Sequence, residues 1–286
     1  MLPIPNPKTA LLVAGLISLR TIVFADGANQ DLPPGAHGGV EPRDKAHHGG
    51  GGGNLIDHGG AILTAPSNFH FVWWGDWSAG AGTQSLLQNF VSGLSNTSLF
   101  QMMDQYTRSQ SVVVGLSYSK TDYADTSAPP SHGPSVSTIV SEVCKVVTAS
   151  GQPDPTAIYA VMTSNFPNGA NYCAWHSSGS CSGQTIQVIY HPNPAAVQGC
   201  STGVYPNNNP QADSTANTLS HEIFETITDP RGSAWYDQNG QEIGDKCAWT
   251  FSPVPGQNYT NTVAGLNYYI QREWSNAASG CVQNLH

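Results

Sequence analysis

The stretch Thr218-Leu219-Ser220-His221-Glu222-Ile223-Phe224-Glu225-Thr226-Ile227-Thr228-Asp229-Pro230 has the core pattern H-E-x-x-E. On a helix, residues four apart lie on one face about one turn apart. His221 and Glu225 would then face a single metal ion, with Glu222 beside it. This is the geometry of the H-E-x-x-H metal helix, with a carboxylate in place of the second imidazole. Leu219, Ile223 and Ile227 recur every four residues and give the helix a separate apolar stripe. Pro230 ends it, so a helix is expected over 215–228. A second reading has the acidic residues in solvent near the helix start, where the helix dipole favours them.

Two protein ligands are too few for a metal site, because catalytic zinc takes three and leaves one position for water. Downstream, Trp235-Tyr236-Asp237-Gln238-Asn239-Gly240-Gln241-Glu242-Ile243-Gly244-Asp245-Lys246-Cys247 contains an Asn-Gly turn signal. That turn would bring Asp237, Glu242 or Asp245 back towards the helix. Upstream, His176 lies on an expected edge strand. The third ligand is therefore expected to be His176 or Asp245, then Asp229. Calcium is the lesser alternative, since Asp237, Asn239, Glu242 and Asp245 offer hard oxygen ligands without the full EF-hand pattern.

The rest of the chain reads as secreted α/β protein. It has 286 residues, 39% hydrophobic and only 10% charged, with 30 Gly and 20 Pro. A net charge of -9 argues against a nucleic-acid or anionic-membrane partner. Residues 1–25 have the form of a signal peptide: Lys8, an apolar run from Ala10 to Leu19, and small Val23 and Ala25 before the expected cleavage. The run is too short for a stable membrane anchor. Six cysteines in a secreted chain suggest three disulfides, with Cys173–Cys181 and Cys247–Cys281 as the expected pairs. Residues 26–59, rich in Gly and His, read as a flexible segment, and 60–286 as a single globular domain.

Within that domain, Phe69 to Trp74 reads as an aromatic-rich strand, and Gln84 to Leu94 has helical spacing. Leu99 to Tyr106 suggests a short helix, Ser111 to Tyr118 a strand, and Ser135 to Ala149 an amphipathic helix. Ala157 to Met162 has the continuous apolar character of a buried central strand, whereas Gln184 to Tyr190 alternates as a more exposed strand would. Alternating strands and helices predict a mixed sheet with flanking helices, a zincin-like motif helix and an irregular disulfide-bonded C-terminal part. The N-terminal halves of metzincin-type zinc peptidases have a broadly similar order, an analogy at the level of the fold. Trp73, Trp74 and Trp77 could stack on sugars or simply fill the core. There is no G-x-S-x-G elbow and no phosphate-binding glycine loop. Asn96-Thr97-Ser98 and Asn258-Tyr259-Thr260 are glycosylation sequons.

Five blocks stand out: Gly60-Ala61-Ile62-Leu63-Thr64, Val72-Trp73-Trp74-Gly75-Asp76-Trp77, Phe90-Val91-Ser92-Gly93-Leu94-Ser95, Tyr172-Cys173-Ala174-Trp175-His176-Ser177 and Thr226-Ile227-Thr228-Asp229-Pro230. Together they resemble the phosphate-induced/EXORDIUM-like secreted proteins. The resemblance implies an extracellular or cell-wall location and brings no established reaction. Its plant members are associated with growth responses and lack the His-Glu pair. A microbial-type branch, with the H-E-x-x-E helix and the W-Y-D-x-x-G-x-E-x-x-D-K-C block, is more similar to this chain.

These readings combine into an expected secreted metal-dependent hydrolase, a zinc peptidase acting on an extracellular protein, peptide or cell-wall substrate. His221, Glu225, His176 and Asp245 are the expected metal ligands, and Glu222 the general base on a metal-bound water. The rival is a non-catalytic extracellular or cell-wall protein with a structural metal or a glycan-contacting surface.

Overall fold

The computed structural model describes residues 32–46, 51–108 and 114–284. The expected signal peptide, His47-His48 and the first residues of the expected strand at 111–118 lie outside these. The elements run β1 (His37–Val40), β2 (Ile56–Asp57), β3 (Ser67–Trp74), α1 (Ala81–Leu94) and α2 (Ser98–Gln101). Then come β4 (Leu116–Tyr118), β5 (Tyr123–Asp125), α3 (Val136–Thr148), β6 (Ile158–Thr163), β7 (Ala174–Cys181), β8 (Gln184–His191) and α4 (Pro210–Thr228). The C-terminal part holds β9 (Trp235–Tyr236), β10 (Asn261–Val263), β11 (Leu266–Tyr268), β12 (Glu273–Ser275) and β13 (Gly280–Val282).

The main sheet has the order β1-β7-β8-β6-β3-β4, with β5 also paired to β3. β8, β6, β3, β4 and β5 run parallel, while β7 and β1 are antiparallel additions at one side. The expected mixed sheet is present, and period-2 alternation decides which helix each side chain meets. Phe69, Phe71 and Trp73 of β3 pack with α1 and α4, whereas Val72 and Trp74 pack with α3. The sheet is thus covered on both faces, as parallel strands require.

That covering corrects the expectation for β8. Its last six residues are buried, because α3 lies on one face of the sheet and α4 on the other. Trp73 and Trp74 are likewise buried, and Trp73 stacks on Phe71, so neither can contact a glycan. Both sequon asparagines, Asn96 and Asn258, are exposed.

Helix α4 begins earlier than the apolar spacing indicates. The Asn209 side chain accepts a hydrogen bond from the Ala212 N–H, and Pro210 occupies the first turn. The helix is also buried almost all round, so the solvent-facing alternative does not hold. Leu219, Ile223, Phe224 and Ile227 enter the core. Its polar side faces protein too.

The covering on that polar side includes the segment expected to be flexible. Residues 37–40 form β1, which pairs with β7 at His37↔His176 and Val40↔Ala174. His176 is therefore not on an edge strand. Further along, Ile56–Asp57 pairs with Trp235 and Tyr236.

Three disulfides are formed: Cys144–Cys181, Cys173–Cys200 and Cys247–Cys281. The last is as expected. The expected Cys173–Cys181 bridge is not formed, because the two cysteines stand at opposite ends of β7. A strand of that length separates its ends by roughly 25 Å at about 3.3 Å per residue, far beyond the reach of a disulfide.

Candidate metal centre

The sequence assembles this centre from three directions. On α4, His221 and Glu225 are four apart and Glu222 and Glu225 three apart, so Glu225 neighbours both. On β7, Trp175 points to the α3 side, and the alternation turns His176 towards α4. The turn at Asn239-Gly240 is closed by Gly240 N–H to Asp237 O and Asp237 N–H to Gln241 O. It returns the chain so that Glu242 and Asp245 reach the helix. The same loop is anchored by Cys247–Cys281.

Two groups of possible metal ligands result. His176, Glu222 and Glu225 bring ligand atoms within 4.8 Å of one another, and so do His221, Glu225 and Asp245. His176 Nδ1 lies 3.3 Å from Glu222 Oε2 and 3.7 Å from Glu225 Oε2. His221 Nε2 lies 3.1 Å from Glu225 Oε1 and 3.6 Å from Asp245 Oδ1. Ligands around tetrahedral zinc, at metal bonds near 2.0–2.1 Å, stand about 3.3 Å apart. The expected residues His176, His221, Glu225 and Asp245 are thus close together, and Glu222, expected as a base, is itself at ligand distance.

The hydrogen bonds around the centre are uneven. Glu225 Oε1 accepts from the Gly244 and Asp245 N–H groups, whereas no donor reaches Glu225 Oε2. Neither oxygen of Glu242 has a hydrogen-bond donor, although the side chain is buried. Asp229 is occupied differently: its Oδ1 accepts from the Ser233 and Ala234 N–H groups and shapes the turn after α4. Asp237 turns away and accepts from the Lys246 ammonium at 2.6 Å, so the oxygen cluster proposed for calcium is divided.

Burial governs the electrostatics. It pushes the Glu222 and Glu242 carboxyls well above the ordinary carboxylate range, with the neighbouring carboxylates adding to the effect. It raises Glu225 to about 7, Glu273 to about 8 and Asp229 to about 6. It also pushes His176 down to about 3, which keeps that ring neutral. For His221, burial opposes a charge, but Glu225 and Asp245 outweigh it and raise the ring well above its usual value. Like-charged carboxyls packed this closely, out of water, favour a bound cation.

The centre is closed by β1. A Cβ placed on Gly38 would stand 1.9 Å from Glu225 Oε2 and 2.6 Å from both Glu242 Oε2 and His176 Cε1. Only a glycine backbone can pass there. Spacing rules missed this residue, as they missed Gln271 and Glu273, which flank His221 from the C-terminal part. Gln271 and Glu273 carry no motif; only their alternation along the chain hints at a shared face.

The chain is similar to EXORDIUM-like proteins. Protein EXORDIUM-like 3 of Arabidopsis thaliana is 23% identical to it, across 87% of this chain and 89% of the relative. Protein EXORDIUM-like 5 of the same plant is 24% identical, across 74% and 70%. No family model and no solved structure matches. The similarity and the three disulfides are consistent with an extracellular protein. Among the described residues, no helix is long and apolar enough to cross a membrane.

Proposed function

We propose that this is a non-catalytic extracellular or cell-wall protein whose buried histidine–carboxylate centre holds a structural divalent cation. The observation that carries the reading is the closure of the centre: His176, His221, Glu222, Glu225 and Glu242 are all 0% exposed, beneath the Gly38 backbone. Structural metal sites are closed, whereas catalytic ones keep a position open to water and substrate. The mix of imidazole and carboxylate suits a first-row ion such as zinc better than calcium, which takes oxygen ligands. Similarity to EXORDIUM-like proteins supports the extracellular setting.

The peptidase reading, with Glu222 as general base, rests on the H-E-x-x-E pattern. It requires a substrate carbonyl to reach a metal-bound water, and β1 covers the His176 side of the centre against such an approach. Chelation separates the two. Removal of the ion should lower the melting temperature by several degrees, and peptide hydrolysis by the loaded protein should stay at background. Hydrolysis that disappears in Glu222→Gln would establish the peptidase instead, and a mature protein with no bound ion would remove the structural-cation reading.

A further inference from the structure

We propose that the cation is held by His176 Nδ1, Glu222 and Glu225 Oε2, and that His221 positions Glu225 without touching the ion. This deepens the structural-cation reading and rests on it. It also divides the H-E-x-x-E helix differently from its sequence pattern: the two glutamates bind, and the histidine supports.

The two imidazoles are fixed by neighbours whose roles are not in doubt. His176 Nε2 lies 3.1 Å from the Asp229 carbonyl, which can only accept. The proton is therefore on Nε2, and Nδ1 presents a lone pair to the centre. That lone pair faces Glu222 Oε2 at 3.3 Å, where either a proton on the Glu222 carboxyl or a cation between the two would satisfy both atoms.

His221 is held the opposite way. The Gln271 side chain accepts from the Trp249 N–H through Oε1 and donates to the Gly244 carbonyl through Nε2. Two backbone groups thus set the direction of the amide. Its NH2 then faces His221 Nδ1 at 3.0 Å, a geometry that fits a neutral ring with its proton on Nε2 rather than the charged ring that Glu225 and Asp245 favour in the absence of an ion. A ligand role for Nε2 would move that proton onto Nδ1, against the amide hydrogens. Gly244 keeps this arrangement tight, since a Cβ there would stand 2.6 Å from Nδ1.

Glu225 points to the same side. Its Oε1, facing His221, already accepts from two backbone N–H groups. Its Oε2, facing His176, receives no donor. Asp245 is also engaged: its Oδ2 accepts from the Glu242 N–H. Carboxylate oxygens without a donor thus lie at Glu222 and Glu225 beside His176, while on the other side His221 Nε2 is also without a hydrogen-bond partner and faces Asp245 Oδ1 at 3.6 Å.

The test combines X-ray absorption at the metal edge with metal titration of the mature protein and its variants, using zinc alone as the probe. The wild-type spectrum should show one imidazole on the ion. In His221→Gln the imidazole signal should persist and affinity should fall about 10-fold, as for an outer-shell partner. In His176→Gln the imidazole signal and high-affinity binding should both be lost. Two imidazoles in the wild type, or an imidazole signal lost in His221→Gln and kept in His176→Gln, would overturn the assignment while leaving the structural-cation reading in place. Absence of zinc binding in the wild type would remove both. The wild-type spectrum decides the matter even if a variant fails to fold.

Discussion

Asp237 and Lys246 show what one residue decides beside the centre. Both are buried, and the Lys246 Nζ donates to Asp237 Oδ2 at 2.6 Å and to the Gly51 carbonyl at 2.7 Å, with the Trp274 ring 4.2 Å away. Asp237 looked available as a metal ligand, because acidic residues on a turn beside a metal helix have no other partner visible in the sequence. Its partner came from nine residues along the same loop. Asp237→Ala strands a buried ammonium and should cost about 3–5 kcal/mol, measured by denaturant unfolding of the metal-loaded protein. His176 and Asp245 stood as alternative third ligands in the sequence, yet the fold places one on each side of Glu225. Side-chain direction, not spacing, separates them: β7 alternation aims His176, and hydrogen bonds from backbone N–H groups occupy the Asp245 side.

Among the elements, α4 was legible where apolar residues repeat and where Pro230 stops the helix. Its first turns were not, because Pro210 to Thr218 contains small and polar residues without an apolar period. Those residues are buried by neighbours that only the fold supplies. β1 was illegible for a related reason. His37-Gly38-Gly39-Val40 has little strand propensity, and its strand form comes from the ladder with β7 and from a passage that admits only glycine at 38. The loop from 237 to 247 depends on covalent anchoring as well as on its turn. Cys247–Cys281 spans 34 residues, so replacing both cysteines by serine should lower stability by about 2–4 kcal/mol. Because that loop supplies the Gly244 and Asp245 N–H groups that hold Glu225, zinc affinity in titration should weaken with it.

At the scale of the whole molecule, a three-layer α/β/α fold surrounds a concentration of negative charge. Glu222, Glu225, Asp229, Glu242 and Glu273 all titrate above their ordinary range, chiefly through burial. Carboxyls with raised folded-state values hold more protons folded than unfolded. Their contribution is complete below about pH 4, where the unfolded groups are also protonated, and declines as pH rises through the folded values near 6, 7 and 8. The metal-free protein should therefore lose melting temperature between pH 5 and pH 8, and saturating zinc should flatten that slope. A metal-free protein that gains stability over the same range would show that the carboxyls are not buried together. The most direct measurement is an anomalous-diffraction map of the mature, zinc-loaded protein at the zinc edge. The account predicts one peak about 2.1 Å from His176 Nδ1 and in contact with Glu222 and Glu225; a peak on His221 Nε2, or no peak in the centre, would contradict it.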